Sequence, residues 1–417
     1  MESLPTNNYQ FFKYLFFIFL FIFIFYILYL FKYYEIENYE KIIKKPDILR
    51  KPYMGFNTWS AFGSDISEKL IMELVDIIYN GPLAKAGYNY IIIDDGWALS
   101  ERDLNDNLQP DPKKFPNGLK YLSNYIHSKG LKLGIYTSAG SKTCQGLAGS
   151  KDFEEQDASL FKSWSVDLVK CDFCGGSDTF YKFWPNFQYK KHYGLMAEYL
   201  YDTKDYPYYQ SSGIVYNICN WGLNNPETWA STMAHSWRID FDIRPSFISV
   251  LRCFDNCIKH NLINGPNNFN DPDMLVVGTK YYLDSLTDIE NETHFCLWVL
   301  LAAPLVLSCS LKDLSEKLLG LITNKELIEI NQDPLCLCCQ SIYSSIKSQI
   351  LVKKLVDGYC VALLNRSNKD LELSVDLSTI SNKFPKNIRD LLLNNLENTQ
   401  IITKKVPSHG ISIFKIS

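Results

Sequence analysis

Histidine is scarce in this chain, 6 in 417 residues, and no cysteine pair is spaced with histidines as a zinc site requires. Basic residues hold no surplus. Lysine and arginine number 42 against 46 aspartates and glutamates, a net charge of −4, which excludes a strongly basic nucleic-acid face. No G-x-G-x-x-G follows the first apolar strand, so a dinucleotide fold has no support. Between Asn7 and Met54 there is no alanine, glycine or serine, and signal-peptide cleavage needs small residues after an apolar run.

What is present begins with "YLFFIFLFIFIFYILYLF", Tyr14–Phe31, uncharged from end to end. Its length approaches a bilayer span. With no cleavage site behind it, it reads as a retained transmembrane signal-anchor over residues 14–31. Lys32, Lys41, Lys44, Lys45, Arg50 and Lys51 follow it, and the positive-inside rule then places the rest of the chain in the cytoplasm. Two sequons, at Asn291 and Asn365, point weakly the other way, to a glycosylated secretory protein. "CLCC" (Cys336, Cys338, Cys339) reads as loop cysteines before it reads as a metal site.

From residue 53 short apolar runs alternate with amphipathic stretches. "YMGFNTW", "YNYIIIDDGW", "LKLGIYTSAG", "DLVKCDFC", "GIVYNICNW", "SWRIDFDI", "FNDPDML" and "LVLSCSL" read as strands. Between them, "SEKLIMELVDIIYNGPLAKAG" has helical spacing with Leu70, Leu74, Ile77 and Ile78 on one face, and "PETWASTMAH" is read as a helix. Eight strand–helix units over 53–334 predict a (β/α)8 TIM barrel, with an open doubly wound sheet as runner-up. Beyond "EINQDPL" the period changes to two, which predicts a small antiparallel C-terminal β domain over 335–417.

Polar residues collect at the C-terminal ends of these strands, where such barrels hold their chemistry. They are Trp59, Asp94 and Asp95 with Trp97, Tyr136, Lys170 and Asp172, Asn220 and Trp221, Arg238 and Asp242, then Asp271, Asp273 and Met274. A lone aspartate after a strand is as readily a helix cap, and Asp271 and Asp273 taken alone are read that way. Adjacent aspartates, two cations and several indoles and phenols at one rim exceed what capping calls for. Paired carboxylates suit glycoside hydrolysis. Aromatic faces cover a pyranose, and the cations are expected to keep the nucleophile ionised. Lys170, Asp172 and Cys174 share one strand face by the period of two.

"MGFNTWSAF", "AGYNYIIIDDGW", "KTCQGLAGS", "WSVDLVKCDFC", "SWRIDFDI", "NDPDMLVVG", "LAAPLVLS" and "EINQDPL" together resemble the glycoside hydrolase family 27 α-galactosidases, the melibiases, over about residues 53–335. The resemblance implies a barrel followed by a β-sandwich, and retaining hydrolysis of terminal α-D-galactosides with no metal and no cofactor. It implies Asp172 as nucleophile and Asp242 as acid/base. Asp94, Asp95, Lys170 and Arg238 would bind sugar hydroxyls, with Trp59, Tyr136, Trp221 and Met274 as walls. It implies a Cys144–Cys174 disulfide, hence an oxidising compartment, lumenal or extracellular, and this outweighs the charge bias at the anchor. An oligosaccharide, glycolipid or glycoprotein glycan is the expected partner, with a membrane at the N-terminal segment and a homodimer as further expectations.

Several positions depart from the family pattern. A disulfide of many relatives falls here on Ser64 and Gly96, so both halves are missing together. Asn220 stands where many relatives have glutamate near the sugar O2, and Leu223, three residues on, is bulky where N-acetylgalactosaminidases keep a small residue. Both aspartates of the Asp94–Asp95 pair are kept, and relatives that act on pentopyranosides change the first. The alternatives are therefore α-N-acetylgalactosaminidase, galactosyl transfer, or a galactose-binding pseudoenzyme.

Overall fold

The computed structural model describes residues 7–37, 43–174, 189–209, 213–281, 284–380, 387–397 and 399–417. Seven strands, β1 (Met54–Asn57), β2 (Tyr90–Ile93), β3 (Lys132–Ser138), β4 (Leu168–Asp172), β5 (Val215–Cys219), β6 (Ser236–Arg238) and β7 (Phe269–Asp271), join an eighth, Leu305–Leu307. All pair in parallel, in chain order, with the eighth strand against β1. A bridge from Leu275 to Leu307 closes the ring, through Leu275 N–H on the Val306 carbonyl at 2.7 Å. The expected (β/α)8 barrel is therefore the fold.

The strand period of two sorts the side chains. Ile91, Ile93, Leu133, Ile135, Val169 and Ile218 turn outward into the core shared with the helices. Tyr90, Ile92, Leu168, Val215, Phe269, Met274 and Val306 form a separate cluster, the barrel interior. Gly134 faces Ile92 so closely that a Cβ there would lie 2.7 Å from its Cγ1. The polar strand ends of the site sit on top of this apolar plug.

Some local expectations change. The helix Glu68–Asn80 buries Ile71, Leu74, Val75 and Ile78, a face turned slightly from the expected one. "PETWASTMAH" forms two 3-10 turns, Pro226–Thr228 and Ala230–Thr232, because it must bend between two adjacent strands. The helices Tyr189–Tyr201, Glu316–Ile322 and Lys325–Asn331 were not legible as separate units.

The C-terminal part is antiparallel, as expected. A six-stranded sheet faces a two-stranded one, Leu371–Asp376 with Ile401–Val406, and Val361, Leu363, Val375, Ile402, Val406 and Phe414 fill the space between. This sandwich is fastened to the barrel by polar contacts. Arg366 makes a bidentate pair with Asp255 at 2.8 and 2.5 Å, His409 Nδ1 meets Glu290 Oε1 at 2.7 Å, and the buried Lys353 donates to the Val299 carbonyl.

Two expectations are corrected. The N-terminus is a helix, Asn7–Glu37, but among the described residues no helix is long and apolar enough to cross a membrane, so the span over 14–31 is not found. Its described side chains, Lys13 to Leu28, are nearly all exposed. Both sequons are closed. Asn291 is buried with Nδ2 on the Leu286 carbonyl, and Asn365 is buried with Nδ2 shared among the Lys369, Val406 and Pro407 carbonyls. A glycan on either would require the local fold to open. Cys336, Cys338 and Cys339 are buried free thiols. Among the described residues the one trio close enough for a metal is Cys144, Asp172 and Cys174, and its two sulfurs are bonded to each other.

Candidate active site

Asp172 ends β4, paired in register with Ser138 of β3 and Cys219 of β5. Its side chain is buried. Oδ1 accepts from the Phe173 N–H at 2.8 Å and Oδ2 from the Tyr136 hydroxyl at 3.2 Å. Burial pushes its carboxyl up to about 7, against the opposing pull of Lys170 and the Phe173 N–H. The expectation that the cation would keep this group ionised is thus only half met. The reason is geometric, because the Lys170 ammonium is turned to Asp94 Oδ2 at 2.7 Å. Burial opposes the charge on Lys170, yet Asp94, then Cys219 and Asp172, outweigh it and hold its pKa above the usual range.

Asp94 also accepts from Asn57 Nδ2 at 2.6 Å, and its backbone N–H donates to Thr58 Oγ1. Asn57, at the end of β1, was missed in the sequence, although it ends a strand as the other site residues do. Asp95 faces a different task. Its Oδ2 accepts from the Gln145 N–H at 2.9 Å and its Oδ1 from the Gly96 N–H, so it anchors the loop that carries Cys144. Burial raises its pKa. Cys144 and Cys174 are bonded, with Cα atoms 4.9 Å apart, as the resemblance implied. The sulfur of Cys144 lies 3.8 Å from Asp172 Oδ2.

Asp242 follows β6 and stands in the mouth, its side chain 65% exposed. Its Oδ1 meets Arg238 Nη2 at 3.0 Å. Burial of the surroundings would raise its pKa, but Arg238 and Lys170 prevail and hold it below the usual carboxylate range. Arg238 is 2% exposed and also pairs with Asp273 Oδ2 at 2.7 Å. Asp273, read from the sequence as a cap, belongs to this charge cluster. Its signal was the repeated aspartate in "NDPDM" beside a buried cation two strands' length away in sequence. Asp271 serves its own turn, Oδ1 accepting from the Asp273 N–H at 2.9 Å, and its Oδ2 also accepts from Asn217 Nδ2 at 2.9 Å inside the barrel.

Trp59 and Met274 pack on the same interior cluster beneath the mouth. Tyr136 is buried beneath the Lys170 ammonium, 5.4 Å from its ring centre. Trp97 braces β3 through its indole N–H on the Tyr136 carbonyl. Trp221 is half-buried at φ 56°, on a loop held by the Gly222 N–H on the Arg238 carbonyl. Asn220 is fully buried, and its amide donates to the Leu223 carbonyl at 2.5 Å, closing its own turn, while its Oδ1 has no partner among the described residues.

Two carboxylates in unlike surroundings, with a cation between each and the rest of the site, can serve as nucleophile and proton donor. Comparison with known proteins gives the family. Residues 54–333 match the family described as "Alpha galactosidase A", and residues 346–416 match the "Alpha galactosidase C-terminal beta sandwich domain". The chain is 33% identical to alpha-galactosidase A of Cellvibrio japonicus, over 90% of this chain and 94% of that protein. It is 36% identical to an alpha-galactosidase of Oryza sativa, over 79% and 75%. The solved structure of alpha-galactosidase I from Mortierella vinacea superimposes with a TM-score of 0.80 at 29% identity, covering 88% of this chain and 97% of that one. An alpha-galactosidase of Saccharomyces cerevisiae solved with raffinose gives 0.75 at 25% identity, covering 88% and 98%. The chain belongs to the alpha-galactosidase A family of glycoside hydrolase family 27, and it is a glycosidase.

Proposed function

We propose that the protein releases terminal α-D-galactose with retention, Asp172 acting as nucleophile and Asp242 as acid/base. The observation that carries the reading is the pairing of a buried Asp172 with an exposed Asp242 close enough for each charge to act on the other. In the first step Asp172 bonds to the anomeric carbon as the glycosidic bond breaks, and the leaving oxygen takes a proton from Asp242. Water then gives its proton to Asp242 and displaces Asp172. Asp94, Lys170 and Arg238 are the proposed hydroxyl binders, with Asp95 holding the loop beside them.

The active pair carries one proton. With Asp172 near 7 and Asp242 below the usual range, the singly protonated pair exists between the two values with its proton mostly on Asp172, and the reactive arrangement, with that proton on Asp242, is a minor share of it that is lost on both sides. A bell-shaped kcat/KM with an acidic optimum, falling as pH rises through about 7, is the expected profile. The primary test is hydrolysis of p-nitrophenyl α-galactoside by wild type, Asp172→Asn and Asp242→Asn, with NMR of the first-formed anomer. Full activity in Asp172→Asn, or a β anomer first, would overturn the reading. Substrate panels with N-acetylgalactosaminides and acceptor alcohols test the alternatives. The disulfide Cys144–Cys174 supports a lumenal or extracellular location.

A further inference from the structure

Arg238 Nη2 is shared. It meets Asp273 Oδ2 at 2.7 Å, Asp242 Oδ1 at 3.0 Å and the Asp240 carbonyl at 3.2 Å. Nη1 has only the Cys219 sulfur at 3.6 Å, and Nε has no partner among the described residues. A guanidinium this buried needs a carboxylate beside it at all times. Two candidates stand there, and they differ in freedom. Asp242 is in the mouth. Asp273 is 2% exposed and locked. Its N–H donates to Asp271 Oδ1, its carbonyl accepts from the Trp298 indole at 2.7 Å, and its Oδ1 accepts from the Met274 N–H. Its Oδ2 accepts a second hydrogen bond from the Ile243 N–H at 2.8 Å, the residue directly after Asp242.

We propose that Asp273 is a positioning residue that shares Arg238 with Asp242, so that the buried guanidinium keeps a carboxylate partner when Asp242 takes up a proton and acts as the general acid. This rests on the assignment of Asp242 above. To protonate a leaving oxygen, Asp242 must be a neutral acid. A neutral Asp242 cannot balance Arg238, so the balance must come from elsewhere. Asp273 supplies it, and through Ile243 it also holds the backbone from which Asp242 projects. When the glycosidic C–O bond breaks, the electron pair leaves on oxygen and the proton of Asp242 follows it. The new Asp242 carboxylate then returns to the open side of the same Nη2, and the second step takes a proton back from water.

The charged groups that face Asp242 come from each neighbouring element. They are Lys170 and Asp172 on β4, Arg238 on β6, Arg252 on the helix Phe247–Lys259, and Asp273 after β7. Of these, only Asp273 has an oxygen held by both the guanidinium that binds Asp242, at 2.7 Å, and a backbone N–H, at 2.8 Å, and this pull of Arg238 opposes the burial that raises its carboxyl to about 6. With Asp273 neutral, Arg238 would have Asp242 as its sole carboxylate and would hold it ionised more firmly than it already does.

The test uses two leaving groups. In Asp273→Asn, kcat/KM for methyl α-galactoside, whose alcohol needs the proton, is expected to fall about ten- to hundredfold. For 2,4-dinitrophenyl α-galactoside, which needs none, the fall is expected to stay under about threefold. The low-pH limb of the methyl galactoside profile, which Asp242 sets, should move to lower pH. Equal losses on both substrates with an unmoved limb would overturn the inference, since a merely structural role predicts that. Asp242→Asn in parallel separates the two readings. If it shows no leaving-group dependence, the acid/base assignment itself fails. Asp273→Gly, which tolerates the φ of 90° at this position, provides a second route. Added formate should restore its methyl galactoside rate and leave the dinitrophenyl rate alone, and formate without effect on either would count against the proposal.

Discussion

At the scale of single residues, the site carries a cost that the fold must offset. Asp172 is buried with a carboxyl raised to about 7 from an ordinary 3.8. A raised carboxyl pKa favours the neutral form in the folded state. The folded state therefore loses stability as pH climbs from about 4 to about 7, and above that the cost is constant. Asp172→Asn removes that cost. It is expected to abolish turnover and to raise the melting temperature at pH 8, by an amount corresponding to at most about 4 kcal/mol. At pH 4 the two proteins should melt nearly together. Thermal scans at the two pH values check this. The residues legible in the sequence were those whose chemistry is strong and local, such as the Asp94–Asp95 pair, or Lys170 and Asp172 on one strand face. Asn57 and Asp273 escaped because each acts through a partner on a distant strand.

At the scale of elements, two loops at the mouth meet without the covalent link that many relatives have. A Cβ on Gly96 would lie 2.8 Å from the Ser64 Cβ, closer than the ~3.5–4.5 Å between the β carbons of a disulfide. The chain fastens them differently. The Lys114 ammonium donates to the Ser64 carbonyl at 2.8 Å and to the Gly96 carbonyl at 2.7 Å. Gly96 lies directly after Asp95, so this clamp also steadies the aspartate pair. Lys114→Met is expected to cost about 1–3 kcal/mol, two charge-assisted bonds being lost, and to raise KM more than it lowers kcat. Denaturant melts and Michaelis curves give both numbers. Strand order was readable because buried parallel strands are continuous apolar runs. The bent segment 226–232 was not, because helical composition says nothing about where a chain must turn.

At the scale of the whole molecule, the sandwich and barrel are welded by ions as well as apolar surface. The Arg366–Asp255 fork, the His409–Glu290 contact and Lys353 all cross the seam. One cooperative unfolding transition is expected for both parts. Arg366→Ala should lower its midpoint by about 1–2 kcal/mol, and two resolved transitions in calorimetry would contradict this. The sequence announced two folds through its change of period, but not the seam, whose partners lie 111 residues apart for Arg366 and 119 for His409.

The cysteine inventory makes the chain a meter of its own folding. Ten thiols are buried and free, and one disulfide takes the remaining two. A colorimetric thiol reagent should find almost nothing in the native protein, ten groups after denaturation, and twelve once a reductant is added and removed. The rate at which the first ten appear, without denaturant, would report how often the closed barrel opens.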